Sequence, residues 1–288
     1  MASAPARHDY HLVEPSSWPF IGALGLFILL VGAVMGMNGR VGFADMPPFV
    51  APFVFAGGVL LMAATLAGWW YDIVTESVAF GEHTPVVKLA FRFAGVLFIL
   101  AEAIFFAVLL LSYYDMALFR SAGVGWPPPG VPAADPWRLP LFATAILLLS
   151  GTTVRWAHRA VLAGDRKTEL KGLAVTVFLG AAFTLVLACD LSREPFALAA
   201  AGGVPAKGAL YGSVFFLVAG AFFLHIAAGT VFLAVCMLRA GLGHFTPERH
   251  FGFEIAAWYW HFGVAVWLVL YAGVYVMGYA FAAPAPVH

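Results

Sequence analysis

Residues 81–119 read GEHTPVVKLAFRFAGVLFILAEAIFFAVLLLSYYDMALF and decide the fold of the chain. Pro85 suits the first turn of a helix, and Thr84 before it is a suitable N-cap. From Val86 onward the residues are apolar for about 30 positions, more than the roughly 20 that an α-helix needs to cross a bilayer. The stretch therefore predicts a membrane-spanning helix.

One carboxylate, Glu102, lies near the centre of this predicted helix. It is about 24 Å from the start of the apolar run, which places it near the middle of a bilayer. A charged carboxylate at that depth costs about 2.5 kcal/mol or more, so the side chain should be protonated or bonded to protein. Two roles stay open: a hydrogen bond between helices, and a proton-carrying or regulatory group.

The composition of the chain is that of a membrane protein. Of its 288 residues 62% are hydrophobic and 10% are charged, whereas soluble domains have about 25% charged residues. The net charge of +0 argues against a nucleic-acid partner. We expect an integral membrane protein.

Short connections rich in Pro and Gly separate the apolar spans, so the sequence predicts an all-α integral membrane bundle of seven transmembrane helices. The predicted spans are 18–37, 48–72, 86–118, 139–162, 170–191, 208–239 and 253–280.

Lys and Arg residues predict the orientation of the bundle, because they are enriched in cytoplasmic connections. Ten are assigned to the side that holds the N-terminus: Arg7, Lys88, Arg92, Arg155, Arg159, Arg166, Lys167, Lys171, Arg239 and Arg249. Five are assigned to the other side: Arg40, Arg120, Arg138, Arg193 and Lys207. We expect a cytoplasmic N-terminus. The basic cluster AGDRKTELK (163–171) contributes most of this bias and is expected to be a solvated turn.

The polar segment TESVAFGEHTP (75–85) predicts a division of the bundle. We expect a cytoplasmic N-terminal segment over residues 1–17, a two-helix unit over 18–74 and a five-helix unit over 75–288. Helices 1–2 would splay from helices 3–7 and form a cleft that lipid fills.

Metal chemistry has few candidate residues. His158, His225 and His261 lie at membrane depth, and no two of them share one helix face at i, i+3 or i, i+4 spacing. Cys189 and Cys236 fall in separate apolar runs and resemble buried thiols. We therefore expect no haem or copper in this chain, and we expect the three histidines to form hydrogen bonds between helices.

Transport is the other obvious function for such a chain. The halves show no internal repeat, and no series of carboxylates crosses the membrane. A stand-alone channel or pump is therefore a poor fit. A stand-alone lipid-binding or transport protein remains the alternative from another class.

Basic and aromatic residues near the predicted cytoplasmic face could hold a phospholipid headgroup. They are Trp69, Trp70, Glu76, His83 and Arg239. The alternative is that they are ordinary interfacial anchors. Interfacial anchoring is also expected for Trp18, Tyr71, Trp126, Trp137, Trp156, Trp258, Tyr259 and Trp260.

Several sequence blocks together resemble subunit III of haem–copper cytochrome c oxidase, in that family's order. They are GWWYDIVTES (68–77), GEHTPVV (81–87), ILAEAIFF (99–106), WPPPGV (126–131), DPWRLPL (135–141), ILLLSGTTVRWAHRA (146–160), HFTPERHFGFE (244–254) and HFGFEIAAWYWHFGVAVWLVLY (250–271). The opening HDYHLVEPSSWPFIGALG (8–25) resembles the bacterial forms.

The resemblance implies a cofactor-free accessory subunit of a proton-pumping terminal oxidase, which passes electrons from cytochrome c to oxygen. Its partners would be the catalytic subunit I and subunit II, with haem and copper in those partner subunits. It also implies bound phospholipid at Trp70, Glu76, His83 and Arg239, and a buried carboxylate at Glu102. The expected location is the bacterial inner membrane, with the C-terminus periplasmic.

By the same resemblance, His8, Asp9 and His11 in the N-terminal segment are a possible proton antenna. The alternative is a tail that only docks on a partner.

The chain departs from the family pattern at buried polar positions. Ala101 replaces a serine, Phe222 replaces a histidine and Val264 replaces an aspartate, while Leu187–Asp190 replaces a more polar run. These changes leave open which oxidase branch the chain serves, including a quinol oxidase or a nitric-oxide reductase. Many of those lack the first two helices, and the seven predicted spans argue against them.

Overall fold

The structure is a computed structural model that describes residues 15–38, 47, 49–80, 84–120, 125–196 and 209–282. Its main elements are helices. They are α1 (Trp18–Asn38), α2 (Val50–Thr75), α3 (Pro85–Tyr114), α4 (Leu139–Leu162), α5 (Arg166–Arg193), α6 (Ala209–Gly241), α7 (Phe251–Leu270) and α8 (Met277–Phe281). The π-helical segments Glu76–Phe80, Asp115–Arg120 and Tyr271–Val276 continue α2, α3 and α7.

Seven helical spans in the described ranges are long and apolar enough to cross a membrane. They correspond to the seven predicted spans, so the predicted all-α membrane bundle is confirmed. The predicted splay of the first two helices, and the division of the chain at residues 74–75, stay predictions.

Two polar caps extend the helices beyond the apolar runs. At the start of α3, the Thr84 hydroxyl accepts a hydrogen bond from the Val87 amide at 3.3 Å, which confirms the predicted cap. At the start of α5, Oδ1 of Asp165 accepts one from the Thr168 amide at 3.1 Å. The hydrogen bonds from Thr168 lower the pKa of Asp165. This cap lets α5 begin at Arg166, before the predicted start of the span.

The chain divides into two compact units, residues 1–91 and 92–288. In the first unit α1 and α2 pack closely through small residues. A Cβ built on Gly58 would overlap the backbone of Leu29, and one on Gly32 would overlap that of Phe55. Trp18 donates from Nε1 to Asp72 at 2.6 Å. Apolar surface alone does not drive helices together in lipid, so close packing has to stabilise the pair. Glycines at the contact allow the two backbones to come this close.

The second unit has its core between α4, α5, α6 and α7. Gly172 of α5 lies against Ala157 of α4, and a Cβ on the glycine would be 2.8 Å from that alanine's Cβ. One turn further along, the Thr153 and Thr176 hydroxyls are hydrogen-bonded at 2.8 Å. This close packing fixes the relative position of α4 and α5.

Buried tryptophans join α7 to α4. Trp260 donates from Nε1 to the Ser150 hydroxyl at 3.0 Å, and Trp267 donates to the Thr144 hydroxyl at 2.8 Å. Trp260 is fully buried, so its predicted role as an interfacial anchor is wrong. The indole needs a hydrogen-bond acceptor inside the bundle, and Ser150 provides it.

Candidate functional site around Glu102

Glu102 lies in the middle of α3 and contacts a histidine of α6. Its Oε2 is 3.1 Å from Nδ1 of His225. The Glu102 side chain is 27% exposed and the His225 side chain 2%. Unpaired polar groups are costly in a bilayer, so this contact stabilises the packing of α3 against α6.

Aromatic rings hold the His225 imidazole in place. The imidazole stacks on the Tyr259 ring, with centroids 4.1 Å apart, and the Tyr259 hydroxyl donates to the His225 carbonyl at 3.1 Å. Three phenylalanines complete an aromatic cage around it: Phe106, Phe222 and Phe262. The ring therefore presents Nδ1 to Glu102 in a fixed orientation.

The two ring nitrogens of His225 differ in their contacts. Nε2 has no hydrogen-bond partner among the described residues, and a Cβ on Gly263 would come within 3.1 Å of it. Nδ1 is therefore the ring nitrogen with a described polar partner, Oε2 of Glu102. Either the imidazole N–H donates to the carboxylate, or the protonated carboxyl donates to the imidazole.

Polar contacts near both ends of α3 and at its centre join this helix to its neighbours. Arg92 pairs with Glu254 of α7 at 3.0 Å near one end. Near the other end, the Tyr113 hydroxyl donates to the Val274 carbonyl at 3.4 Å. The contact between Glu102 and His225 is the central one, and it joins α3 to α6.

The sequence predicted a hydrogen bond between helices for each membrane histidine, and the outcomes differ. The prediction is confirmed for His225. His261 is on the exposed side of α7, and its Nδ1 lies 2.7 Å from the Ala257 carbonyl of its own helix. Nε2 of His158 is buried, with no partner among the described residues, between the rings of His250 and Phe253. The prediction is therefore wrong for His261 and for Nε2 of His158.

The predicted phospholipid contacts fall in both units. Trp70 is exposed near the end of α2, and Glu76 begins the π-helical segment that follows. In the second unit, the Arg239 guanidinium lies 4.7 Å from the centre of the Phe245 ring. His83 lies outside the described residues. The headgroup site stays a prediction.

The other candidate residues are the N-terminal proton-antenna group and the two cysteines. His8, Asp9 and His11 lie outside the described residues. Where the structure describes the chain, no three His, Cys, Asp or Glu side chains are grouped so as to hold a metal ion. Cys236 is buried as predicted, but Cys189 is exposed because it lies on the outer side of α5.

Comparison with known proteins identifies the family. The sequence profile described as cytochrome c oxidase subunit III matches residues 8–279. The chain belongs to this family. Among curated relatives, cytochrome c oxidase subunit 3 of Cyprinus carpio is 39% identical over 277 residues, which cover 96% of this chain and 99% of the relative. The protein of the same name from Arabidopsis thaliana is 40% identical over 274 residues, covering 94% and 97%.

As a member of the cytochrome c oxidase subunit III family, the chain is an accessory subunit of a terminal oxidase and works in respiratory electron transport. Two of the residues that we expect to depart from the family pattern, Phe222 and Val264, lie in described parts of the chain. Phe222 is fully buried, with its ring centre 5.1 Å from that of Trp267. Val264 packs near Gly151. Among the described residues, Glu102 and His225 form a polar contact between α3 and α6, and Phe222 and Val264 add apolar packing.

Proposed function

We propose that the chain packs beside catalytic subunit I of a proton-pumping oxidase, with subunit II in the same complex, and stabilises the catalytic subunit during turnover. Haem and copper are held by those partners, and electrons pass from cytochrome c to oxygen. The observation that supports this role is the Glu102–His225 pair. It joins α3 to α6 through two side chains that lie 123 residues apart in the sequence.

The proposed location is the bacterial inner membrane, with a cytoplasmic N-terminus and a periplasmic C-terminus. The support is the distribution of Lys and Arg along the sequence, which favours the side that holds the N-terminus. In this orientation the turn between α4 and α5 is cytoplasmic.

Purification through a tag on this chain tests the assignment. We expect haem-containing chains to co-purify in fixed ratio under mild detergent. After dissociation, this chain alone should show no haem absorbance and no stoichiometric copper. A tagged chain that stays apart from every haem-containing protein would instead favour a stand-alone lipid-binding or transport protein.

Phospholipid binding is the second part of the proposal, through headgroup contacts at Trp70, Glu76, His83 and Arg239. The turn after α6 supports it. Burial, with the nearby charges of Arg239 and Arg249, lowers the pKa of His244. His244 is thus neutral at pH 7, and Arg239, with Arg249 nearby, provides the positive charge that a phosphate would meet.

Arg239→Ala should therefore lower the phospholipid retained by the purified oxidase complex, because one cation near a headgroup is worth about 1 kcal/mol. The measurement is phospholipid per complex by mass spectrometry. Arg193→Ala is the matched control, since it removes an exposed cation at the end of α5. Equal lipid content in the two variants would contradict the proposal.

The N-terminal residues His8, Asp9 and His11 are proposed to help collect protons for the catalytic subunit. Imidazoles titrate near neutral pH and can exchange protons with bulk water. Replacing both histidines with Gln should slow proton uptake by the complex above about pH 6.5. Unchanged uptake at every pH would leave the segment only a docking role.

A further inference from the structure

Two arginines of α4 face outward from the second unit. Arg155 and Arg159 are four residues apart, so they lie on one face of the helix, and both are exposed. No carboxylate in the described part of the chain forms a salt bridge with either guanidinium. The cation at Arg159 lies in the last helical turn, where the helix dipole favours it. Arg155 lies a full turn deeper in the helix, where the helix dipole no longer stabilises a cation appreciably.

The depth of Arg155 is unusual for an exposed cation. It precedes Leu162, the last residue of α4, by seven positions, or about 10 Å along the axis. An arginine in a hydrocarbon environment carries a large free-energy cost unless its head reaches water or an anion. Its long side chain can reach the headgroup layer, where phosphates are the abundant anions.

Exposed apolar side chains of α4 lie near these arginines. Trp156 lies between them in sequence and is 45% exposed, and Leu148 is also exposed further into the span. Exposed tryptophan beside arginine is the usual composition of the headgroup boundary, and exposed leucine is the composition of the acyl-chain region.

The turn from α4 to α5 increases the positive charge of this surface. Glu169 is 3% exposed and so points into the bundle. Arg166 donates to the carbonyls of Ala240 and Gly241 at the end of α6. Lys167 and Lys171 remain exposed. Of the two acidic residues in this turn, Glu169 is turned inward and Asp165 is exposed, so the exposed charges of the turn are one carboxylate and the lysines Lys167 and Lys171.

We propose that this surface, formed by Arg155, Trp156, Arg159, Lys167 and Lys171 and called here the α4–α5 basic surface, binds an anionic phospholipid. The two guanidinium groups hold the phosphate, and an acyl chain runs along α4 past Trp156 and Leu148. A lipid fits better than an acidic protein segment, because apolar side chains flank the cations and Arg155 lies below the end of the helix. This proposal is independent of the headgroup contacts proposed for Trp70, Glu76 and Arg239.

The proposal is tested by measuring how much phosphatidylglycerol the oxidase complex binds in nanodiscs after its own bound lipid has been removed. Phosphatidylcholine is the zwitterionic comparison. Arg155→Gln with Arg159→Gln should weaken phosphatidylglycerol binding roughly 25-fold, since each cation contributes about fivefold. Arg193→Gln, which removes a cation at the other end of α5, should leave binding unchanged. Native mass spectrometry of bound lipid is the measurement.

A charge-preserving variant separates lipid binding from folding. Arg155→Lys with Arg159→Lys should keep phosphatidylglycerol binding within about threefold of the parent, because lysine also binds phosphate as a point charge. Unchanged binding in the glutamine variant would overturn the proposal. So would a glutamine variant that keeps its lipid and loses a protein chain, since that result identifies a protein carboxylate as the partner. If the double glutamine variant does not assemble, Arg159→Gln alone should weaken binding about fivefold, and unchanged binding would count against the proposal.

Discussion

His225→Ala should lower the thermal stability of the assembled oxidase by about 2–4 kcal/mol. The substitution leaves Glu102 without its partner and opens a cavity inside the aromatic cage. Leu224→Ala is the matched control, because Leu224 is the preceding residue of α6 and is exposed. The measurement is thermal unfolding of the purified complex, followed by loss of this chain from the haem-containing subunits. Similar shifts for the two variants would mean that the pair contributes little.

The partner variants separate a structural role from a proton path. Glu102→Gln keeps the size of the side chain and an amide that can hydrogen-bond Nδ1 of His225, so protons pumped per electron should stay near normal. Glu102→Ala should be less stable, and combining it with His225→Ala should cost less than the sum of the single changes. The measurement is proton movement in reconstituted vesicles. Abolished pumping by an assembled, oxygen-reducing Gln variant would make Glu102 a proton-path residue.

Gly58→Leu should disrupt the packing of α1 against α2. Any side chain at this position meets the backbone of Leu29, which cannot move aside as a rotamer can. We expect a cost of about 3 kcal/mol or more, and readier proteolysis of the first unit in the assembled complex. Gly57→Leu is the control, because a Cβ on Gly57 meets nothing within 4 Å. Equal protease sensitivity in both variants would contradict the close packing.

The sequence predicted the helices well, because length and hydrophobicity determine what can cross a bilayer. The seven spans and the Thr84 cap are local properties of the chain, and the structure has them. The Glu102–His225 contact was not predicted, because its partners are 123 residues apart. Counting residues along each helix gives both side chains similar depth, but it does not give the rotation of either helix about its axis.

Trp260 also shows that the sequence alone does not give the rotation of a helix about its axis. The run Trp258–Tyr259–Trp260 suggested an interfacial group, yet successive residues on a helix point about 100° apart. Trp260 faces α4, with Ser150 as its acceptor, while Tyr259 stacks on His225 of α6. Identifying these two residues in advance requires knowing that α4 and α6 pack on these sides of α7.

The sequence separation of Glu102 and His225 also determines when their contact can form during synthesis. At about 5–20 residues per second, synthesis reaches His225 roughly 6–25 s after Glu102. During that interval α3 enters the membrane with its carboxyl group still lacking its final partner. The span that carries Glu102 has the most apolar window of the seven, which offsets the insertion cost of that group. The high hydrophobicity of α3 therefore keeps this helix inserted in the bilayer until α6 is synthesised.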